Sequence, residues 1–173
     1  MVARTRTAAA FLAKAFKERE TRKIYWAVVA GVPRPATGRI STYLVKEDTG
    51  VGDRMRVARH GERGADHAQS LYAVVDQAGQ KVSWLVMRPI TGRTHKLRAH
   101  AAHIGHPIIG DPVYSGPQWR GIPDKRLQKA IAGFSRQALH AVHLAISHPK
   151  TDKQMSFAAP LPDDMRDLIL ALR

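Results

Sequence analysis

The chain has 173 residues, with 28 Lys and Arg against 14 Asp and Glu and a formal net charge of +14. A hydrophobic fraction of 44% supplies a core for one domain and excludes a wholly disordered basic tail. There is no cysteine, which rules out disulfides, thiolate nucleophiles and Cys-ligated metals and suits a reducing, cytoplasmic compartment; no apolar run approaches the ~18 to 20 residues of a membrane span.

Ala8, Phe11, Leu12, Ala15 and Phe16 fall on one face of residues 5–19, which predicts an amphipathic helix capped by Thr5 or Thr7. The acid-free stretch 1–17 also has the composition of a mitochondrial presequence, but the residues beyond it continue as an ordinary domain. Strands are predicted at 23–30, 39–45, 54–60, 69–76 and 81–88 from their β-branched and aromatic content. Gly50-Val51-Gly52 reads as a turn, and Asp76-Gln77-Ala78-Gly79 as the turn of a hairpin. A helix over 94–104 stops at Gly105, and another covers 122–132. Strands at 138–147 and 154–157 precede a last helix over 162–172, whose Asp163, Asp164 and Asp167 suit the positive end of its dipole. The pattern is one strand-dominated α+β domain over 1–173, without repeats or linkers.

Charge is unevenly placed. Residues 1–34 hold eight basic and two acidic side chains, and residues 88–98 hold four basic and none acidic. Such excess points to a polyanion, most often nucleic acid, the alternative being a solvated surface that serves solubility. Gly92-Arg93-Thr94-His95-Lys96-Leu97-Arg98-Ala99-His100 opens a helix with Arg93 and free backbone N–H groups at its start, a ready phosphate site. His95 and Arg98 share a helix face. His100, His103 and His106 invite a metal reading, but nearby carboxylates are scarce. His140 and His143 are an odd number apart on a predicted strand and should face opposite ways. No nucleophile elbow, Walker loop or dinucleotide fingerprint is present.

The 92–100 segment, followed by Ile104-Gly105-His106-Pro107-Ile108-Ile109-Gly110-Asp111-Pro112-Val113-Tyr114, closely resembles the signature of the RluA family of RNA pseudouridine synthases. Lys23-Ile24-Tyr25-Trp26-Ala27-Val28-Val29-Ala30-Gly31 resembles that family's second motif, and His140, Leu144, His148-Pro149 and Phe157-Ala158-Ala159-Pro160 resemble its carboxyl-terminal end. The resemblance implies a mixed, largely antiparallel sheet with flanking helices, RNA as partner, and uridine isomerisation without metal or cofactor. Ribosomal RNA stands ahead of transfer RNA as substrate. It implies that Tyr25 lies against the base and assists proton removal, and that Arg98 pairs with the nucleophilic Asp; Arg93, His95 and Lys96 are the expected RNA contacts. Lys96 stands where Gln is usual. The family's His-Arg-Leu-Asp-x-x-Thr-Ser-Gly segment, which bears the nucleophile, is not found in 1–173, and Asp111 is expected only to fix a loop. The chain alone is therefore expected to be inactive, a partial catalytic domain; the alternative is a non-catalytic RNA-binding or ribosome-assembly module.

Overall fold

The computed structural model describes residues 2–18, 20–48, 53–92, 95–114 and 121–173. In chain order the elements are α1 (Arg6–Lys17), β1 (Arg22–Ala30), β2 (Thr37–Asp48), β3 (Asp53–Ala58), β4 (Asp66–Ala78), β5 (Val82–Pro89), α2 (Lys96–His103), α3 (Lys125–Ala132), β6 (Leu139–Ser147), β7 (Gln154–Ala158) and α4 (Asp163–Leu170). The strands form one sheet in the order β3-β2-β4-β5-β1-β6-β7. Expected as mixed and largely antiparallel, it is antiparallel in every pairing of the described strands.

β1 lies inside the sheet, and Ala27, Val28 and Val29 are all fully buried. A strand covered on both faces must be apolar without alternation, which is how 23–30 reads. α2 is bonded to one face of the sheet through His100, and Trp26 and Trp84, which meet edge to face, pack against a buried cluster that includes Leu127 and Ile131 of α3 and Met165 and Leu168 of α4. β2 behaves differently. Ile40, Thr42 and Leu44 are buried while Arg39 and Ser41 are exposed, so its sequence alternates with period two.

The boundaries shift where local chemistry outweighs pattern. β4 extends over Asp66 and His67 because both pair with β2. Residues 76–78 stay in the ladder, so the hairpin turn is Gly79–Lys81, with Gly79 at φ 54°, rather than Asp76–Gly79. α3 starts late because Pro123 precedes Asp124, whose carboxylate caps the helix by accepting from Leu127 N at 2.8 Å. Thr5 caps α1 as expected, accepting from Ala8 N. The Gly50–Gly52 turn lies outside the described residues. The β1–β6 register skips a residue, pairing Tyr25 with Ala141 and Ile24 with His143. His140 and His143 thus stand opposite Trp26 and Ile24, on one face of the sheet, and the expectation of opposite faces fails through this bulge.

α2 is tied to the sheet by His100, which is fully buried. Its Nδ1 lies 2.9 Å from Ser70 Oγ and its Nε2 3.0 Å from Thr42 Oγ1, so one ring nitrogen donates and the other accepts. Burial, with the positive charge of Lys96 and His103 nearby, pushes the His100 pKa down to about 4. A depressed histidine stabilises the fold above its unfolded value of about 6.5, and this contribution is lost as pH falls toward 4. Urea unfolding should therefore show up to about 3 kcal/mol of pH-dependent loss over that window. His100→Leu, with no proton to gain, should lack that part of the slope; an unchanged slope would contradict the assignment.

Candidate active site

Lys23 and Tyr25 are two apart on β1 and point to the α2 side of the sheet. There they meet the end of β5 at Pro89, the segment Thr91–Gly92 and the first turn of α2, around a cleft of about 300 Å³. That volume is at the lower end for small-ligand sites, roughly 300 to 1,000 Å³. Tyr25, His95, Lys96 and Arg98 all line it. Arg93 lies outside the described residues. Lys23, absent from the expected site, also lines the cleft with its ammonium 4.6 Å from the centre of the Phe16 ring. Period-two alternation from Tyr25 was the signal for it.

Each expected residue has a distinct setting. Burial pushes the Tyr25 phenol above its ordinary value, so it is protonated at neutral pH, and its hydroxyl has no hydrogen-bond partner among the described residues. Burial lowers Lys23. His95 adopts the left-handed conformation at φ 49°, and its buried Nδ1 has no partner among the described residues. Such strain in a non-glycine residue collects where a side chain must be aimed. Lys96 is only 3% exposed, and its Nζ donates to Thr91 O and to Thr91 Oγ1. Its charge therefore acts from within the cleft wall rather than from an open surface.

Arg98 is the most constrained of the set. Its Nε and Nη2 each donate at 2.7 Å to Asp111, whose side chain is fully buried. Asp111 Oδ1 also accepts from Val113 N at 2.9 Å and Tyr114 N at 3.2 Å. Burial raises the Asp111 carboxyl, but the guanidinium and these N–H donors outweigh it, so its pKa lies below the ordinary value. The bond to Asp111 raises Arg98 against the opposing effect of burial. Asp111 thus fixes its loop, as expected, and also holds the cation that the resemblance assigns to the nucleophile. Nη1 of Arg98 has no partner among the described residues. The loop itself is set by β1, since Ala30 N donates to Pro107 O at 2.9 Å and Ile109 N to Val28 O at 2.9 Å. Gly110 has φ 70°, and a Cβ there would lie 2.1 Å from Arg136 O, so only glycine fits.

Among the described residues no Asp or Glu lines the cleft itself, and Asp111, which pairs with Arg98, is not among its lining residues. The arrangement can hold an anion and a flat group beside Tyr25. Among the described residues no cluster of His, Asp or Glu could hold a metal, and no helix is long and apolar enough to cross a membrane.

Asp111→Asn keeps the shape and removes the charge, leaving a guanidinium without its anion. Loss of one partner of a buried pair costs about 3 to 5 kcal/mol, measurable by urea unfolding. Arg173→Ala, which removes an exposed pair with Asp76, should leave the transition unmoved. Equal effects of the two variants would contradict the burial argument.

The profile of RNA pseudouridylate synthases matches residues 1–103. Ribosomal large subunit pseudouridine synthase D of Vibrio cholerae is 37% identical over 176 residues, covering 100% of this chain and 52% of its own length. The dual-specificity RNA pseudouridine synthase RluA of Escherichia coli is 38% identical over 160 residues, covering 92% and 66%. The solved structure of human RNA pseudouridylate synthase domain containing 1 superposes with a TM-score of 0.71 at 28% identity, covering 93% of this chain and 63% of that one. The chain spans about half the length of the first of these relatives. By the profile match over more than half its length, and by these identities, the chain belongs to the RNA pseudouridylate synthase family, in its RluA branch.

Proposed function

We propose that the chain is the base-binding and arginine-bearing part of an enzyme that converts uridine to pseudouridine in RNA. The observation that carries this reading is the convergence of Tyr25 and Arg98 on one cationic cleft that no carboxylate lines among the described residues. In the reaction the C1′–N1 bond breaks, the base turns, and C1′ bonds to C5; C5 gives up a proton and N1 gains one. The base must leave the stack to be held so, and no redox cofactor or metal enters the balance. Tyr25 supplies a flat surface and a neutral hydroxyl beside the base. Arg98, clamped through Nε and Nη2, offers Nη1 to a carboxylate near C1′ and favours its ionised form. His95 and Lys96 with Arg93 serve the phosphates. None of the ten Asp of this sequence sits in the His-Arg-Leu-Asp motif that bears the family's nucleophile, so these residues alone do not turn over.

Ribosomal RNA is the substrate class we favour over transfer RNA, supported by the name of the Vibrio relative, and the cytoplasm is the favoured compartment. A second reading, a non-catalytic RNA-binding or ribosome-assembly module, draws on the absence of a lining carboxylate among the described residues.

Tritium release from bulk ribosomal RNA separates the two. The 173 residues alone should give no turnover, and the protein extended upstream by the His-Arg-Leu-Asp segment should be active. In the extended protein Tyr25→Phe should lower the single-turnover rate by roughly 10²-fold with little change in RNA affinity. Arg98→Ala should lower the rate as well. Arg93→Ala should weaken binding and leave the rate at saturating RNA intact. Multiple turnovers by the 173 residues would overturn the assigned nucleophile, and an inactive extended protein that still binds RNA would favour the second reading.

A further inference from the structure

We infer that the uncovered part of the sheet's other face, on β2, β4 and the end of β5, is a second RNA-contact surface, taking the strand that flanks the nucleotide held in the cleft. The inference rests on the reading of the cleft as an RNA site. α3 and α4 cluster with Trp26 and Trp84 on β1 and β5, whereas Arg39, Ser41 and His67 on this face are exposed. The side chains form rows across the strands. Arg39 stands opposite Leu71, and Leu71 opposite Arg88. The next row pairs Ser41 with Gln69, and the one after it pairs Tyr43 with His67. From the first row to the third is about 14 Å, four residues of strand.

Each row offers something that RNA takes. Arg39 and Arg88 are exposed and have no acidic partner among the described residues. No acid stands in these rows, and Glu47 and Glu62, farther along the face, are occupied by Arg56. A long-range pull on phosphates therefore remains. In the middle row Gln69 Nε2 lies 3.4 Å from Ser41 Oγ and 3.3 Å from His67 Nε2, which is itself 3.0 Å from Ser41 Oγ. These groups are held in place and exposed to a nucleotide edge. In the third row the Tyr43 ring lies 4.9 Å from His60 and 5.3 Å from His67, so three flat rings sit together, the kind of platform on which unpaired bases stack. Leu71, 36% exposed between the two arginines, adds an apolar spot.

The surface also adjoins the cleft. Arg88 precedes Pro89, which lines the cleft, and Gln69 is bonded to the connecting segment: its N–H donates to Thr91 Oγ1 at 3.1 Å and its carbonyl accepts from Ile90 N at 3.0 Å. A strand leaving the cleft reaches the arginine row by crossing residues 90–92. Cations without carboxylates, together with clustered aromatic rings, fit a nucleic acid better than a protein partner, whose interface core is depleted of charge.

Fluorescence anisotropy with the 173-residue chain tests this. The probes are a uridine-bearing RNA stem-loop, and the same stem-loop with eight unpaired nucleotides added at its 5′ or its 3′ side. The wild type should bind one extended probe more tightly than the short one. Arg39→Gln/Arg88→Gln, at two exposed positions outside the cleft, should abolish that gain, reduce the salt slope on the extended probe by about 1.4 for two phosphates on a single strand, and leave the short probe unchanged. Tyr43→Ala should also reduce the gain, and circular dichroism checks that each variant is folded. If neither extension tightens binding, or if the double variant keeps the gain and the slope, the second surface is wrong while the cleft reading stands. If the wild type binds none of the probes, both readings fall.

Discussion

Arg98 and Asp111 bury opposite charges against each other, and the shape of the cleft depends on that pair. Two charges removed from water are tolerable only when geometry and further hydrogen bonds offset the desolvation. Here the guanidinium meets the carboxylate in two parallel bonds, and two backbone N–H groups fill further acceptor positions. The anion is placed by residues 107–109, which are bonded to β1, and β1 carries Tyr25. The ring and the cation of the candidate site are thus indexed to one strand, by its own alternation and by a loop that pairs with its far end.

The pair also connects α2 to β3. Tyr114 donates its N–H to Asp111, accepts from Met55 N through its hydroxyl at 2.7 Å, and places its ring 5.2 Å from the Arg98 guanidinium. With His100 bonded to Ser70 and Thr42, α2 is fixed to the sheet by polar contacts as much as by apolar packing. Polar anchors of this kind demand one geometry, because each leaves a costly unpaired group if it slips. The rest of the sheet follows a simpler rule. Where both faces of a strand are covered, as at Ala27, Val28 and Val29, its side chains are apolar, and strands covered on one face leave a polar row in solvent.

Much of this was legible in the sequence. The seven strands and four helices of the described residues are all foreshadowed by period and by Gly and Pro punctuation, and the cleft residues of the expected site lie in the segments that resemble the family's motifs. What was not legible arose from contacts between distant segments. Asp66 and His67 look like loop and become strand because β2 offers them partners. The bulge that turns His140 and His143 to one face has no local mark. Lys96 reads as a surface cation, yet Thr91 holds it inward. Asp111 gives a faint signal, a carboxylate after the apolar Ile108-Ile109-Gly110, which calls for a buried cation. The identity of that cation is a matter of tertiary structure.

The dependence of the cleft on this pair is tested most directly by a double-mutant cycle in urea unfolding, with Arg98→Met, Asp111→Leu and the double variant. Each single change should cost about 3 to 5 kcal/mol because it strands a buried charge. The double variant strands none and should fall short of the sum of the two by about 2 kcal/mol or more, beyond the usual error of additivity. Additive losses within about 0.5 kcal/mol would mean that the two residues act independently, and the account of how β1 positions α2 would be wrong.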